Sequence, residues 1–426
     1  MNFPFLLSYS GGLDSTFLFY QLLKIKKTQP KLKFRAIHID HQLNKNSTQW
    51  SEHCKQVCKK HDIPIIVKKV LIKKNKIGIE ASSRLERYKI IHETVLPQEV
   101  ILTAHNLNDQ CETFLLALKR GSGITGLSGI PYKSKLFNKN TIIRPLLNIS
   151  RSRIKHWIIK NKIAWIEDHS NYDINYDRNF LRHNILPLFT KRWPSFINNC
   201  AKSAFILRQE KQIIDPILQK NLNKYLVSTS ILNIIDFKTM KSEIRNSLLR
   251  IWIKLNNYIV PSYKIIQKIY YEIILSKPDS KAKIKINNYK IQRYRNNLYL
   301  IDIMPCIKNL IIMWYQPWND LKLPNNLGYI IQNNNGTALP YPKKNTLINI
   351  RFQISGKTSI QGHAKRKLVK QIWKENGIAP WNRNNIPLLF YNNDLISALG
   401  VFITIPKKNC ENKKTWKISW VQKLKK

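Results

Sequence analysis

The segment Ser10-Gly11-Gly12-Leu13-Asp14-Ser15 stands between an apolar run, Phe3 to Tyr9, and a second apolar stretch, Thr16 to Leu23, long enough for a helix. A strand, a glycine turn and a helix start together offer unpaired backbone N–H groups and the positive end of a helix dipole, which is the chemistry of phosphate binding. Gly11 and Gly12 let the backbone approach a phosphate closely, Leu13 belongs to the same turn, and Ser10 and Ser15 add hydroxyl donors. The GK[ST] ending of a Walker loop is missing, so no lysine of that kind reaches a terminal phosphate. Asp14 is the odd member. A carboxylate beside polyphosphate is repulsive unless a divalent cation, here magnesium, lies between them. The structural alternative is a strand-to-helix turn in which Asp14 or Ser15 merely caps the helix.

Further candidates lie downstream. In TAHNLNDQCET from Thr103, Asp109 and Glu112 stand i, i+3 at a helix start, so both carboxylates face the same way and can bind a cation or an amine. Favourable placement of acids at a helix N-terminus explains the same spacing without chemistry. His105 and Asn106 precede that helix, and His38 opens HIDHQLN after the second apolar run; the two histidines are taken as nucleotide contacts. GIEASSRLERY from Gly78 puts Glu80, Arg84 and Arg87 on one helical face, where an exposed ion pair is the bland account and an arginine fork for phosphate or base, assigned to Arg84, is the functional one. In EDHSNYDINYDRNFLR from Glu167, turn and cap residues precede Arg178 and Arg182, a basic pair one turn apart that suits an RNA backbone.

The elements that must position these groups are legible as periodicity. Phe3–Tyr9, Phe34–Asp40, Pro64–Val70, Val100–Ala104 and Thr141–Ile143 read as strands with helical patterns between most of them. This alternation predicts a Rossmann-like, doubly wound parallel α/β sheet whose ligands bind beyond the carboxyl ends of the strands, where the three motifs fall. After Phe205 the pattern turns helical, at Ile206–Tyr225, Lys241–Leu255 and Ser262–Leu275, with short β-like pieces at Ala282–Ile286 and Asn297–Ile303. The expected domains are 1–205 catalytic, 206–316 mostly helical, a polar linker at 317–346 and a small α+β domain at 347–426. In the last of these, Leu368, Val369, Ile372 and Trp373 form one apolar stripe, which makes Trp373 a core residue rather than a platform for a base.

A chain of 426 residues holds two or three domains. Lys and Arg number 72 against 25 Asp and Glu, a net charge of +47, which calls for a polyanionic partner. After residue 200 there are 39 basic and 11 acidic residues, a net of +28, leaving +19 for the first 200. Abundant Lys, Asn and Ile also suit AT-rich coding, which accounts for part of the excess. No apolar run approaches the roughly 20 residues of a membrane span and no signal peptide is evident, so a cytoplasmic location is expected. The six cysteines are scattered, as reduced thiols would be. Cys54 and Cys58, with His53 and His61 nearby, lack a second ligand pair for zinc and read as packed residues of a helix.

The loop at Ser10–Ser15 resembles the PP-loop of the ATP-pyrophosphatase superfamily. In order, SGGLDS, HIDHQLN, GIEASSRLERY, TAHNLNDQCET, KRGSG, RPLL and SNYDINYDRNFLR resemble the tRNA(Ile)-lysidine synthetase family, and the segment from Gly362 to Phe402 resembles the last domain of its longer, three-domain form. The resemblance implies an enzyme that uses ATP and magnesium to adenylate the wobble cytidine of an isoleucine tRNA with a CAU anticodon. L-lysine then replaces AMP, so that the tRNA reads AUA rather than AUG and its identity changes from methionine to isoleucine. It implies Asp14 and Asp109 for metal, and Asp14, Arg84, Asp109 and Glu112 for catalysis. A homodimer is allowed. Asn44, Asn106 and Asn108 stand where the family often has arginine, histidine and an acid, which argues against roles for positions 44 and 106. Three rivals stay open: a PP-loop base thiolase, against which no CxxC occurs; a nucleotide amidotransferase, against which no glutaminase cysteine domain is evident; and a non-catalytic RNA-binding protein.

Overall fold

Phe5–Ser8 is apolar up to its last residue, the pattern of a strand covered on both faces. In the computed structural model it is β1, the centre of a six-stranded sheet. The structure describes residues 4–42, 46–70, 79–137, 139–277, 280, 282–362, 365–405 and 414–422, and of 79–81 the backbone only. Asn44, Gly78 and Cys410 lie outside the described residues, as does the side chain of Glu80.

The chain divides into two units, residues 1–217 and 218–426. In the first, α1 (Leu13–Thr28), β2 (Phe34–Asp40), α2 (Ser47–Lys60), β3 (Ile65–Lys69), α3 (Ile79–Thr94), β4 (Val100–Leu102), α4 (Leu107–Lys119), a short α5 (Ile124–Leu127), β5 (Lys133–Leu136), β6 (Asn140–Ile143) and α6 (Arg151–Lys160) follow β1. The strand order is β3-β2-β1-β4-β6-β5. All neighbours are parallel except the edge hairpin β5–β6. All five expected strands form, and β5 is an addition. Its KSKL sequence alternates weakly and carries no strand signal of its own.

Burial follows the pleat. Leu7 turns toward α1, α2 and α6 with Tyr9, Phe17, Phe19, Cys54, Cys58 and Ile154; Leu6 turns to the other face with Ile37, Ile91, Ile101 and Ile142. Cys54 and Cys58 are fully buried, the packed-helix reading of that pair. The chain winds outward from β1 to β3 and then crosses to β4, so β1 and β4 are neighbours at the point where the strand order reverses. Crevices for ligands open there.

Short helices α7 (Asp177–Phe180) and α8 (Leu186–Arg192) flank a π-helical turn at Leu181–Ile185, and α9 (Phe196–Asn223) follows. The expected boundary at 205 is corrected to 217. Cys200 packs with Cys111 and Leu186, and Arg208 donates to Ile130 O at 2.8 Å, so this part of α9 belongs to the first unit.

In the second unit, the predicted helices α10 (Ser242–Leu255) and α11 (Tyr263–Lys268) pack with a five-stranded antiparallel sheet around Trp252, Phe237 and Tyr289. That sheet is formed by β7 (Leu226–Ser228), β8 (Ile231–Asn233), β9 (Lys283–Ile286), β10 (Tyr289–Tyr294) and β11 (Asn297–Asp302), in the order β7-β8-β11-β10-β9. β12 (Ile311–Trp314), β13 (Leu321–Lys322) and β14 (Tyr329–Pro340) follow.

The polar linker expected at 317–346 is therefore corrected. β14 pairs with the final strand β21 (Thr415–Val421), bulging between Gln332 and Thr337, and buries Ile330 and Leu339. Its asparagines occupy the bulge and outer face, which concealed the strand. The remaining strands β15 (Ile348–Arg351), β16 (Lys357–Thr358), β17 (Lys367–Leu368), β18 (Leu388–Tyr391), β19 (Asp394–Ala398) and β20 (Phe402–Ile403) accompany α12 (Val369–Glu375). Val369, Ile372 and Trp373 are buried, whereas Leu368 precedes the helix and is exposed, a correction to the expected stripe.

Trp373 packs on Phe402 with ring centroids 5.4 Å apart, inside a cluster with Ile360, Leu388 and Phe390. Trp373→Ala is expected to lower stability by about 3–5 kcal/mol, read as a lower urea midpoint.

Candidate functional site

The turn after β1 is built around Gly11, whose φ of +77° is a left-handed conformation. A Cβ there would run into the Cδ1 of Ile166 and come within 2.9 Å of Cys54 Sγ, so both the conformation and the space require glycine. Ile166 closes the turn from below: its N–H donates to Gly11 O at 2.9 Å and it forms a parallel bridge with Gly12. Sequence reasoning missed Ile166, because an isoleucine 155 residues away carries no local signal.

Gly12 is the N-cap of α1, and the first intrahelical bond runs from Thr16 N to Gly12 O at 2.9 Å. The N–H groups of Leu13, Asp14 and Ser15 precede that bond and point out of the helix end. The loop's carbonyls are tied inward. Thr16 Oγ1 donates to Gly11 O at 3.1 Å and Ser15 Oγ to Gly12 O at 3.0 Å. Ser15, expected as a phosphate donor, braces the loop here: it is 5 % exposed and also meets Ser10 Oγ at 3.0 Å. Ser10 itself is exposed at the mouth. His38, expected as a nucleotide contact, is buried behind the loop. It lies on the face of β2 covered by α2, its Nδ1 3.0 Å from Tyr9 O and 3.4 Å from Cys54 Sγ, and burial lowers its pKa, so it supports the loop from inside.

Facing this loop across the switch point is the N-terminus of α4. Asn106 caps it in a capping box, with Asn106 Oδ1 accepting from Asp109 N at 3.1 Å and Asp109 Oδ2 accepting from Asn106 N at 2.8 Å. Asn106 Nδ2 donates to Asp14 Oδ1 at 2.9 Å. Position 106, whose role the resemblance puts in doubt, is thus tied directly to Asp14. Burial raises the Asp14 pKa, Asp109 adds to the rise, and Arg151, Asn106 and Arg182 oppose it.

Glu112 is wholly buried, with both carboxylate oxygens on one guanidinium: Arg182 Nε at 2.8 Å from Oε1 and Nη2 at 3.1 Å from Oε2. Burial pushes the Glu112 carboxyl up and Arg182 pulls it down. The same Nη2 lies 3.7 Å from Asp109 Oδ1. Arg178 Nη2 donates to Thr113 Oγ1 at 3.2 Å. Both arginines of the pair expected to grip RNA turn onto α4, where Arg182 closes on Glu112 and only approaches Asp109. Glu112, expected to hold an amine, is saturated by Arg182 here, whereas Asp109 is shared between its helix and the edge of that guanidinium.

His105 hydrogen-bonds Thr103 Oγ1 at 3.0 Å, and its pKa is lowered to about 4 by burial and by Arg84, Arg144 and Arg178 against the pull of Asp109; it is neutral at pH 7. Arg84 lies over the Tyr88 ring, 5.3 Å from its centroid. Among the described residues no group of three or more His, Cys, Asp and Glu converges as a metal cage. The donor set still fits magnesium, which usually takes one or two carboxylates and completes its shell with phosphate oxygens and water. Asp14 is the better placed, since among the described residues no lysine or arginine closes an ion pair on it.

Residues 3–189 match the PP-loop domain family, 232–299 the TilS substrate binding domain and 348–420 the TilS substrate C-terminal domain. A tRNA(Ile)-lysidine synthase of Buchnera aphidicola subsp. Baizongia pistaciae is 52% identical over 98% of this chain and 96% of its own length. One of Serratia proteamaculans is 37% identical over 98% and 95%. Among solved structures, the U34-tRNA thiolase NcsA from Methanococcus maripaludis aligns at 17% identity and a TM-score of 0.41, covering 49% of this chain and 72% of that one.

Removing Arg182 should leave Glu112 as an uncompensated buried charge. Arg182→Ala is expected to cost about 3–5 kcal/mol in urea unfolding, and the double variant Arg182→Met, Glu112→Leu to recover most of it.

Proposed function

Because the chain belongs to the tRNA(Ile)-lysidine synthase family, we propose that it joins the ε-amino group of L-lysine to C2 of the wobble cytidine in an isoleucine tRNA with anticodon CAU, at the expense of ATP. The observation that carries the reading is the meeting of two groups at the switch point: the outward N–H groups of α1 beside Asp14, and the acids of α4 across from them.

The C2 carbonyl of cytosine is amide-like and its oxygen leaves poorly. Its attack on the ATP α-phosphate releases pyrophosphate and converts that oxygen into part of AMP, a good leaving group. Attack needs the α-phosphate's charge neutralised, for which the N–H groups of Leu13, Asp14 and Ser15 are oriented before any nucleotide arrives. Asp14 would hold magnesium, which when bound would supply the remaining neutralisation.

The lysine amine then displaces AMP at C2. With a reference pKa near 10.4, only about one lysine in 2,500 is neutral at pH 7, so a proton must be removed. Asp109 is the acceptor the geometry favours, partly buried at the start of α4 and free of a tight guanidinium pair. Glu112 contributes by holding Arg182, which orients and partly balances Asp109. His105, uncharged, and Arg84 stand near enough to each other to line the nucleotide or base.

The product changes codon reading from AUG to AUA and identity from methionine to isoleucine, and the reaction belongs to the cytoplasm, where tRNA is charged. Among the described residues no helix is long and apolar enough to cross a membrane.

Incubated with ATP, L-lysine and the CAU-anticodon tRNA, the chain should form AMP and pyrophosphate, and the tRNA should gain the mass of one lysyl residue. Formation of ADP, or an unchanged tRNA mass, would sink the proposal. Asp14→Ala and Asp109→Asn should each abolish incorporation while filter-binding affinity for the tRNA stays within a few-fold.

tRNA binding is assigned in part to exposed lysines of the last domain, including Lys365, Lys370, Lys374 and Lys417. Each phosphate they neutralise contributes about −0.9 to the slope of log K against log salt. Replacing Lys365, Lys370 and Lys374 together by alanine should flatten that slope by about 2–3; an unchanged slope removes them from the interface.

A further inference from the structure

One side chain joins the loops that follow β1 and β4. Asn106 is 1 % exposed, and both ends of its amide are engaged: Oδ1 by Asp109 N and Nδ2 by Asp14 Oδ1, a residue 92 positions earlier. The amide cannot be turned over, because the Asp109 N–H must be met by an oxygen, which leaves the nitrogen for the Asp14 carboxylate. Capping alone does not call for this residue, since serine, threonine or aspartate caps as well. What asparagine adds is a neutral donor that reaches Asp14.

Neutrality matters because of what surrounds that carboxylate. Arg151 and Arg182 attract the Asp14 carboxylate through space, and Asp109 repels it. A guanidinium paired directly with Asp14 would cancel its charge, as Arg182 does for Glu112. An amide N–H fixes the direction of the carboxylate and leaves its charge for a cation.

We propose that Asn106 is a positioning residue for the reaction: its amide holds Asp14 in the orientation that receives the magnesium–nucleotide complex, and the capping box on α4 holds the amide. The assignment rests on the role given above to Asp14. It makes the nucleotide loop and the acid-bearing helix one unit, so that a shift of α4 is felt at Asp14.

Asn106→Ser separates the two duties, since serine keeps the cap and loses the donor to Asp14. By isothermal titration calorimetry with magnesium and ATP alone, Asn106→Ser is expected to bind about tenfold or more weakly than the parent chain while melting at the same temperature. Asn106→Ala should show the same loss of affinity and a lower melting temperature as well. In a double-variant cycle with Asp14→Asn, the Asn106→Ser effect should largely vanish, because its partner is already changed. Asn106→Thr, a second cap without an amide, repeats the test should the serine variant melt early.

Unaltered magnesium–ATP affinity in the serine and threonine variants, or full additivity in the cycle, overturns the assignment and leaves Asn106 as a cap only. The calorimetry uses neither tRNA nor lysine. A parent chain that binds magnesium–ATP but adds no lysine therefore refutes the functional reading without touching this one.

Discussion

The nucleotide end of the molecule depends on the backbone of Gly11 turning left-handed beneath Ile166. That conformation directs the carbonyls of Gly11 and Gly12 toward the hydroxyls of Thr16 and Ser15, and their bonding leaves the N–H groups of the first helical turn facing outward. An anion site made this way needs no cationic side chain. Its donors are fixed by the fold before a ligand arrives, which is the physical meaning of preorganisation. Ser15 and His38, expected from their motifs as ligand contacts, are seated in this structure where they support that geometry.

The acids around the switch point are handled in opposite ways. Glu112, fully buried, is paid its whole counter-charge by Arg182 through two hydrogen bonds. Asp14 is held by a neutral amide and Asp109 by the backbone N–H of its own helix cap, so neither is closed by a tight guanidinium pair. A buried ion pair therefore sits behind the two acids to which the proposed reaction assigns a metal ion and an ammonium group. The π-helical turn at Leu181–Ile185 carries Arg182 onto α4, and such turns are common where a side chain must be re-aimed.

The second unit solves a different problem, burying enough apolar surface in a chain dominated by Lys and Asn. It does so with antiparallel sheets whose inner positions are Ile, Leu, Tyr and Trp, and it leaves the lysines outside. α12 shows the division in seven residues: Val369, Ile372 and Trp373 inward, Lys370 and Lys374 outward. A positively charged exterior over an ordinary core is what a polyanionic partner requires.

Local periodicity determined the five parallel strands, the helices between them and the place of the Ser10–Ser15 loop at a strand end, because side-chain alternation and glycine content act over a few residues. The asparagine-rich β14 escaped detection, since only its pairing with β21 makes it a strand. The acids of α4 were visible as a spacing. Their partners were not: Ile166 under Gly11, Arg182 on Glu112 and Asn106 on Asp14 are separated from them by 155, 70 and 92 residues. Sequence thus determined which groups are present and on which element, while tertiary structure alone decided which carboxylate a guanidinium closes and which are left open, because that depends on distances across the sheet that no local pattern encodes.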